Sequence, residues 1–131
     1  VKFSTKSEYG LRALISLAQH QKDQPYSLAK IAQEQKISLA YLERLFAKLK
    51  KADLVKSAKG MKGGYSLVKP ANKISVKDIL VALEGKLSPY ICADLPNVCK
   101  VNFCSVKFVW QKLESAMNKT LEEIKLSQLV K

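Results

Sequence analysis

A mainly α-helical fold, with one small β-hairpin near its middle and a long helix at its end, is what this sequence predicts. Three observations point to it. Apolar residues recur at helical spacing between Tyr9 and Leu49, the glycine-rich KGMKGG separates two short β-prone segments, and a second helical stripe runs from Val106 to Ile124.

Local signals delimit each element. Ser4 can cap a helix in which Tyr9, Leu11, Leu14, Ile15, Leu17 and Ala18 repeat until QKDQP closes it, which predicts a helix from about Thr5 to Gln21. Ser27 is the next cap, and Leu28, Ile31 and Ala32 make a short stripe ending around Gln35 and Lys36. Ser38 caps a third helix with Leu39, Leu42, Leu45, Phe46 and Leu49 inward. A short helix, a tight turn and a longer helix form either an ordinary αα-hairpin or a helix-turn-helix. The segment after the third helix favours the second. LVKSAKGMKGGYSLVKP holds strands from Leu54 to Ala58 and from Gly64 to Val68, with Gly60, Gly63 and Gly64 allowing the positive φ of a hairpin tip. A hairpin directly after a recognition helix is a wing. Ser75 then caps a helix with Val76, Ile79, Leu80 and Leu83 inward and Gly85 as terminator. Pro89, Asp94, Pro96 and Asn97 mark a loop from Lys86 to about Phe103. In the last helix Val106, Trp110, Leu113, Met117 and Ile124 form a stripe widened by Val109 and Leu121, either intrachain core or a seam between subunits. The first 85 residues already contain a core, so a seam is expected.

Charge gives the helices a partner. The chain has 131 residues, 23 Lys+Arg against 11 Asp+Glu, a net charge of +12 and a pI near 9.7, a bias suited to a polyanion. Lys48, Lys50, Lys51, Lys56, Lys59 and Lys62 crowd the third helix end and the hairpin with only Asp53 opposing them. A winged helix lays that surface along phosphates. The expected base-reading residues are Ser38, Ala40, Tyr41, Glu43 and Arg44, with Lys48 behind on phosphate. Glu43 repels phosphate but accepts from a cytosine amino group, so it supplies specificity and little affinity. Lys59, Gly60, Met61, Lys62 and Gly63 are expected to enter or straddle a minor groove of a double-stranded DNA operator. No run approaches the ~18 apolar residues of a membrane span. A secretory signal is not evident in VKFSTKSEYG either, so a soluble, cytoplasmic chain without membrane contact is expected. The expected division is 1–85 for a winged helix-turn-helix DNA-binding domain, 86–103 for a cysteine-bearing loop, and 104–131 for a C-terminal dimerisation helix and tail.

Cys92, Cys99 and Cys104 are the chain's three cysteines. Thiolates this close can hold a thiophilic metal or an iron-sulfur cluster but cannot all pair as disulfides. Zinc and a thiol redox switch are the other chemistries open to them. Their confinement to one polar segment argues against three small buried hydrophobes. An enzyme is not expected, because the sequence offers no paired acid and base, no nucleophile with a histidine partner, and no phosphate loop leading into a helix.

KFSTKSEYGLRAL, SLAYLERLFAKLKKADLV, KGMKGGYSL, ISVKDILVALEG and the spaced cysteines before VWQKL together resemble the Rrf-two-type winged-helix regulators of bacteria, which include the iron-sulfur regulators IscR and NsrR. The resemblance spans nearly the whole chain. It implies a homodimer on a two-fold operator, a long C-terminal helix crossing its partner, and a 2Fe-2S or 4Fe-4S cluster held by Cys92, Cys99 and Cys104. In some members a carboxylate at the start of the first helix reaches the other subunit's cluster, and Glu8 matches that position. Two departures stand out. Lys107 occupies the position where IscR-like members have a histidine, and Lys59 stands where the family often has arginine. His20, the only histidine, sits near the end of the first helix and is expected to be structural or solvent-exposed.

Overall fold

The computed structural model describes residues 3–20, 24–58, 64–88 and 105–131, and among these residues serine side chains begin four of the five α-helices. These helices are α1 (Thr5–His20), α2 (Leu28–Gln35), α3 (Leu39–Lys51), α4 (Val76–Glu84) and α5 (Ser105–Glu123). Ser4, Ser27 and Ser38 accept from the N–H groups of Lys6, Ala29 and Tyr41 at 3.1, 3.1 and 3.3 Å. Ser75 and Asp78 close a reciprocal capping box, so two of the orphan donors at the start of α4 are satisfied. At their ends α2 turns through Lys36 (φ 56°), α3 is followed by Asp53 (φ 59°), and α4 stops at Gly85 (φ 90°). Left-handed backbone at these points redirects the chain.

The strands β1 (Val55–Ala58) and β2 (Gly64–Leu67) pair antiparallel, with Val55 opposite Leu67 and Ala58 opposite Gly64. Tyr26 adds a bridge to the other edge of β2. Its N–H donates to the Tyr65 carbonyl at 2.9 Å, and the Tyr65 N–H donates back at 2.8 Å. Gly64 is needed for this approach. A Cβ there would lie 2.4 Å from the Tyr26 carbonyl oxygen. The positive φ expected at Gly64 is not found, since Gly85 alone has it among the described glycines. Close backbone contact, and not turn geometry, is what excludes a side chain.

The core lies between α1, α2, α3 and α4. Leu14, Leu17, Ile31, Leu42, Phe46 and Ile79 are each 0% exposed, and each such side chain gains about 1.5–3 kcal/mol on leaving water. Gly10 lets α4 approach α1, with Leu83 filling the space a Cβ would need. The C-terminal tail returns to this core. The Val76 N–H donates to the Ile124 carbonyl and the Leu126 N–H to the Ile74 carbonyl, both at 2.8 Å, which seats Leu126 at 0% exposure.

The apolar stripe of α5 divides into two parts. Met117, Leu121 and Ile124 pack on Val76, Leu80 and Leu87 of the same chain, and Lys77 pairs with Glu122 at 2.7 Å. Val106, Phe108, Val109 and Leu113 are 46–65% exposed. Periodicity predicted one continuous seam. The return of the tail through Leu126 instead draws the second half of α5 onto α4.

Candidate functional site

α3 presents one face to solvent because the others are spent on the core. Leu42, Leu45, Phe46 and Leu49 point inward, whereas Leu39, expected among them, is 41% exposed because the first turn of α3 extends past the core; Ser38, Ala40, Glu43 and Arg44 are exposed near the capped start of the helix. Those four are brought together. Tyr41 is half-buried, its hydroxyl sharing a 2.9 Å hydrogen bond with Thr5 Oγ1. Lys48 is exposed, and its ammonium donates to the Leu83 carbonyl of α4 at 3.5 Å. Lys50 donates to Ser57 Oγ at 3.0 Å and so ties α3 to β1.

A shallow groove lined by Ser27, Leu39, Glu43, Ala58 and Gly64 runs between α2, α3 and the base of the hairpin. It sets the exposed face of α3 beside the strands. The expected wing-tip residues Lys59, Gly60, Met61, Lys62 and Gly63 lie outside the described residues. So do Cys92, Cys99 and Cys104. Glu8 stands exposed in the first turn of α1, and Lys107 is half-buried in the first turn of α5. Among the described residues no group of three or more His, Cys, Asp and Glu could hold a metal ion. None of the described helices is long and apolar enough to cross a membrane.

Two polar clusters brace the helices behind this face. Glu34 of α2 accepts from the Tyr26 hydroxyl and from Ser16 Oγ, while His20 stacks on Tyr26 with ring centroids 4.6 Å apart. His20 is thus placed in a structural contact, with Nδ1 2.8 Å from the Ser16 carbonyl oxygen. The Glu34 bond, with burial and the carboxylate's charge, pushes the Tyr26 hydroxyl up to about 12. The same bond holds Glu34 below its ordinary value, overcoming burial, with help from Ser16, His20 and Lys30. Glu84, at the end of α4, accepts from the Ser4 N–H, Ser4 Oγ and Ser7 Oγ at 2.7–2.9 Å. Burial raises its carboxyl, but the hydrogen bonds from Ser7 and Ser4 and the charge of Lys6 outweigh that and hold it low. Sequence reasoning missed Tyr26, Glu34 and Glu84. Only an acid placed near hydroxyl residues hinted at them, and their partners lie on other elements.

A family model described as "Iron-dependent Transcriptional regulator", Rrf2, matches residues 3–131. The chain is 38% identical over 133 residues to Protein rrf2 of Nitratidesulfovibrio vulgaris, covering 100% of this chain and 88% of that protein. Among solved structures it resembles CymR of B. subtilis, described as the global cysteine regulator, at 36% identity and a TM-score of 0.83, covering 98% of this chain and 95% of that one. It also resembles IscR of T. potens at 40% identity and a TM-score of 0.80, covering 98% of this chain and 85% of that one.

Proposed function

The chain belongs to the Rrf2 family of transcriptional regulators, and from that premise we propose a dimeric DNA-binding regulator whose operator affinity is set by an iron-sulfur cluster on Cys92, Cys99 and Cys104. The observation that carries the DNA reading is the solvent face of α3, where Ser38, Ala40, Glu43 and Arg44 stand together beside a hairpin. The start of α3 enters the major groove, Arg44 donates to guanine or phosphate, and Glu43 accepts from a cytosine amino group. Lys59 and Lys62 bring the wing onto the neighbouring backbone. The exposed Val106, Phe108, Val109 and Leu113 supply an apolar surface for a second copy, so that two recognition helices meet a two-fold site.

The donor set fits the cluster. Thiolates are the ligands iron prefers in such clusters, and three of them leave one terminal position for an exchangeable group. Glu8 of a second copy, exposed at the start of α1, would be the oxygen donor for it. Lys107 cannot ligate iron while protonated. When bound, the cluster supplies a charge and ligand set that oxygen, iron supply or nitric oxide can alter. Binding shifts only if the two forms hold α3 at different positions.

Duplexes selected by the protein from a random pool test the DNA reading. A dimer on about 6–10 phosphates loses ~10³–10⁵ in affinity between 50 and 200 mM salt. Selection of no sequence, or affinity indifferent to salt, contradicts it. The likeness to the global cysteine regulator CymR favours a second reading, in which the three thiols are themselves the sensor. That reading predicts no visible absorption after anaerobic reconstitution with iron and sulfide.

A further inference from the structure

Thr5, Tyr9 and Arg12 share one face of α1, at helical spacing. That face grips the helix-turn-helix at two points. Thr5 Oγ1 shares its 2.9 Å hydrogen bond with the Tyr41 hydroxyl, and the Tyr9 ring meets Tyr41 edge-on with centroids 5.9 Å apart. Arg12 lies 5.5 Å above the Tyr9 ring and donates to the Gln35 carbonyl at 2.8 Å and to Gln35 Oε1 at 3.3 Å. Gln35 ends α2, directly before the left-handed Lys36 that turns the chain toward α3. α1 therefore holds the turn with Arg12 and the helix beyond it with Thr5 and Tyr9.

We propose that Tyr41 is a positioning residue, its hydroxyl engaged by α1 and not by DNA, and that the Thr5, Tyr9 and Arg12 face sets the angle at which α3 offers Ala40, Glu43 and Arg44 to the bases. The inference rests on the reading of α3 as the recognition helix. It departs from the sequence expectation, which put Tyr41 among the base-reading residues. An exposed neighbour would be available for a phosphate or base, whereas the Tyr41 hydroxyl already has a partner and its ring is packed against Tyr9.

Thr5→Val, Tyr41→Phe and the double variant test this, each titrated in the metal-free protein with the selected duplex and with a random duplex at several salt concentrations. Each single variant should bind the selected duplex about three- to tenfold more weakly, the cost of one lost hydrogen bond. The double should be no weaker than either single, since both remove the same contact. Random-duplex affinity and the salt slope should not change, and Thr5→Ser should restore wild-type binding. A Tyr41→Phe chain that binds both duplexes more weakly, with a salt slope smaller by about 1, while Thr5→Val is silent, makes Tyr41 a phosphate contact and overturns the proposal. A lower melting temperature with an unchanged ratio of selected to random affinity overturns it too, because the contact then only stabilises the fold. If the wild type prefers no duplex, the reading of α3 fails first, and the inference falls with it.

Discussion

Gly64→Ala probes how the hairpin is held against the helices. The added Cβ would stand 2.4 Å from the Tyr26 carbonyl oxygen, 2.6 Å from its carbon and 3.1 Å from the Ser27 nitrogen. All three are backbone atoms, so no rotamer change can make room, and β2 must retreat by about 1 Å to reach ordinary contact. That retreat breaks the reciprocal bonds between Tyr26 and Tyr65, now 2.9 and 2.8 Å long. Two backbone hydrogen bonds, each worth about 0.5–1.5 kcal/mol net, put the loss at about 1–3 kcal/mol. Urea denaturation should show a lower midpoint with an unchanged slope. Operator affinity should drop as well, because the hairpin shifts relative to α3. Gly10→Ala is the control: the atoms nearest its Cβ all belong to the Leu83 side chain and none to the backbone, so the cost should be smaller. A Gly64→Ala midpoint equal to wild type would show that Tyr26 does not hold the strand.

Leu126→Ala should destabilise the protein by about 2–5 kcal/mol, since this side chain is fully buried in the main core and its loss leaves a cavity; urea denaturation reads it, and a surface-like effect would mean the tail is not part of the core. Glu84 is held below its ordinary value of 4.5. Its stabilisation is therefore complete above that pH and is lost as pH falls toward the folded value, so Glu84→Gln should flatten the acid limb of the stability profile; an unchanged limb contradicts this. Val109→Glu on the exposed half of α5 should give monomers in sedimentation at micromolar concentration, whereas Met117→Glu, on the packed half, should unfold the chain before it dissociates.

Local chemistry made much of the fold legible. The serine caps, the Gly85 stop, the two strands and most of the inward faces of α1 to α4 follow from spacing and side-chain type; Leu39, in the first turn of α3, is the exception. Once the inward residues of α3 are fixed, its outward face is fixed too, which is why Ser38, Ala40, Glu43 and Arg44 could be named from the sequence. Contacts between distant elements were not legible. Nothing near Gly64 announces that Tyr26 will lie against it, and nothing in Tyr41 says that Thr5 will take its hydroxyl. The stripe of α5 has one period along its length but two environments, because periodicity records which residues share a face and not what covers it. The cysteines are legible only as donors, through their number and their confinement to one segment.

The central claim, that a cluster on this chain tunes operator binding, is tested most directly by titrating one protein preparation against its selected duplex before and after anaerobic reconstitution with iron and sulfide. Reconstitution should give visible charge-transfer absorption that Cys92→Ala, Cys99→Ala and Cys104→Ala each abolish, with an operator affinity that differs between the two forms of the wild type and not between those of the variants. Absorption that survives all three replacements, or wild-type affinity that is the same with and without the cluster, contradicts it.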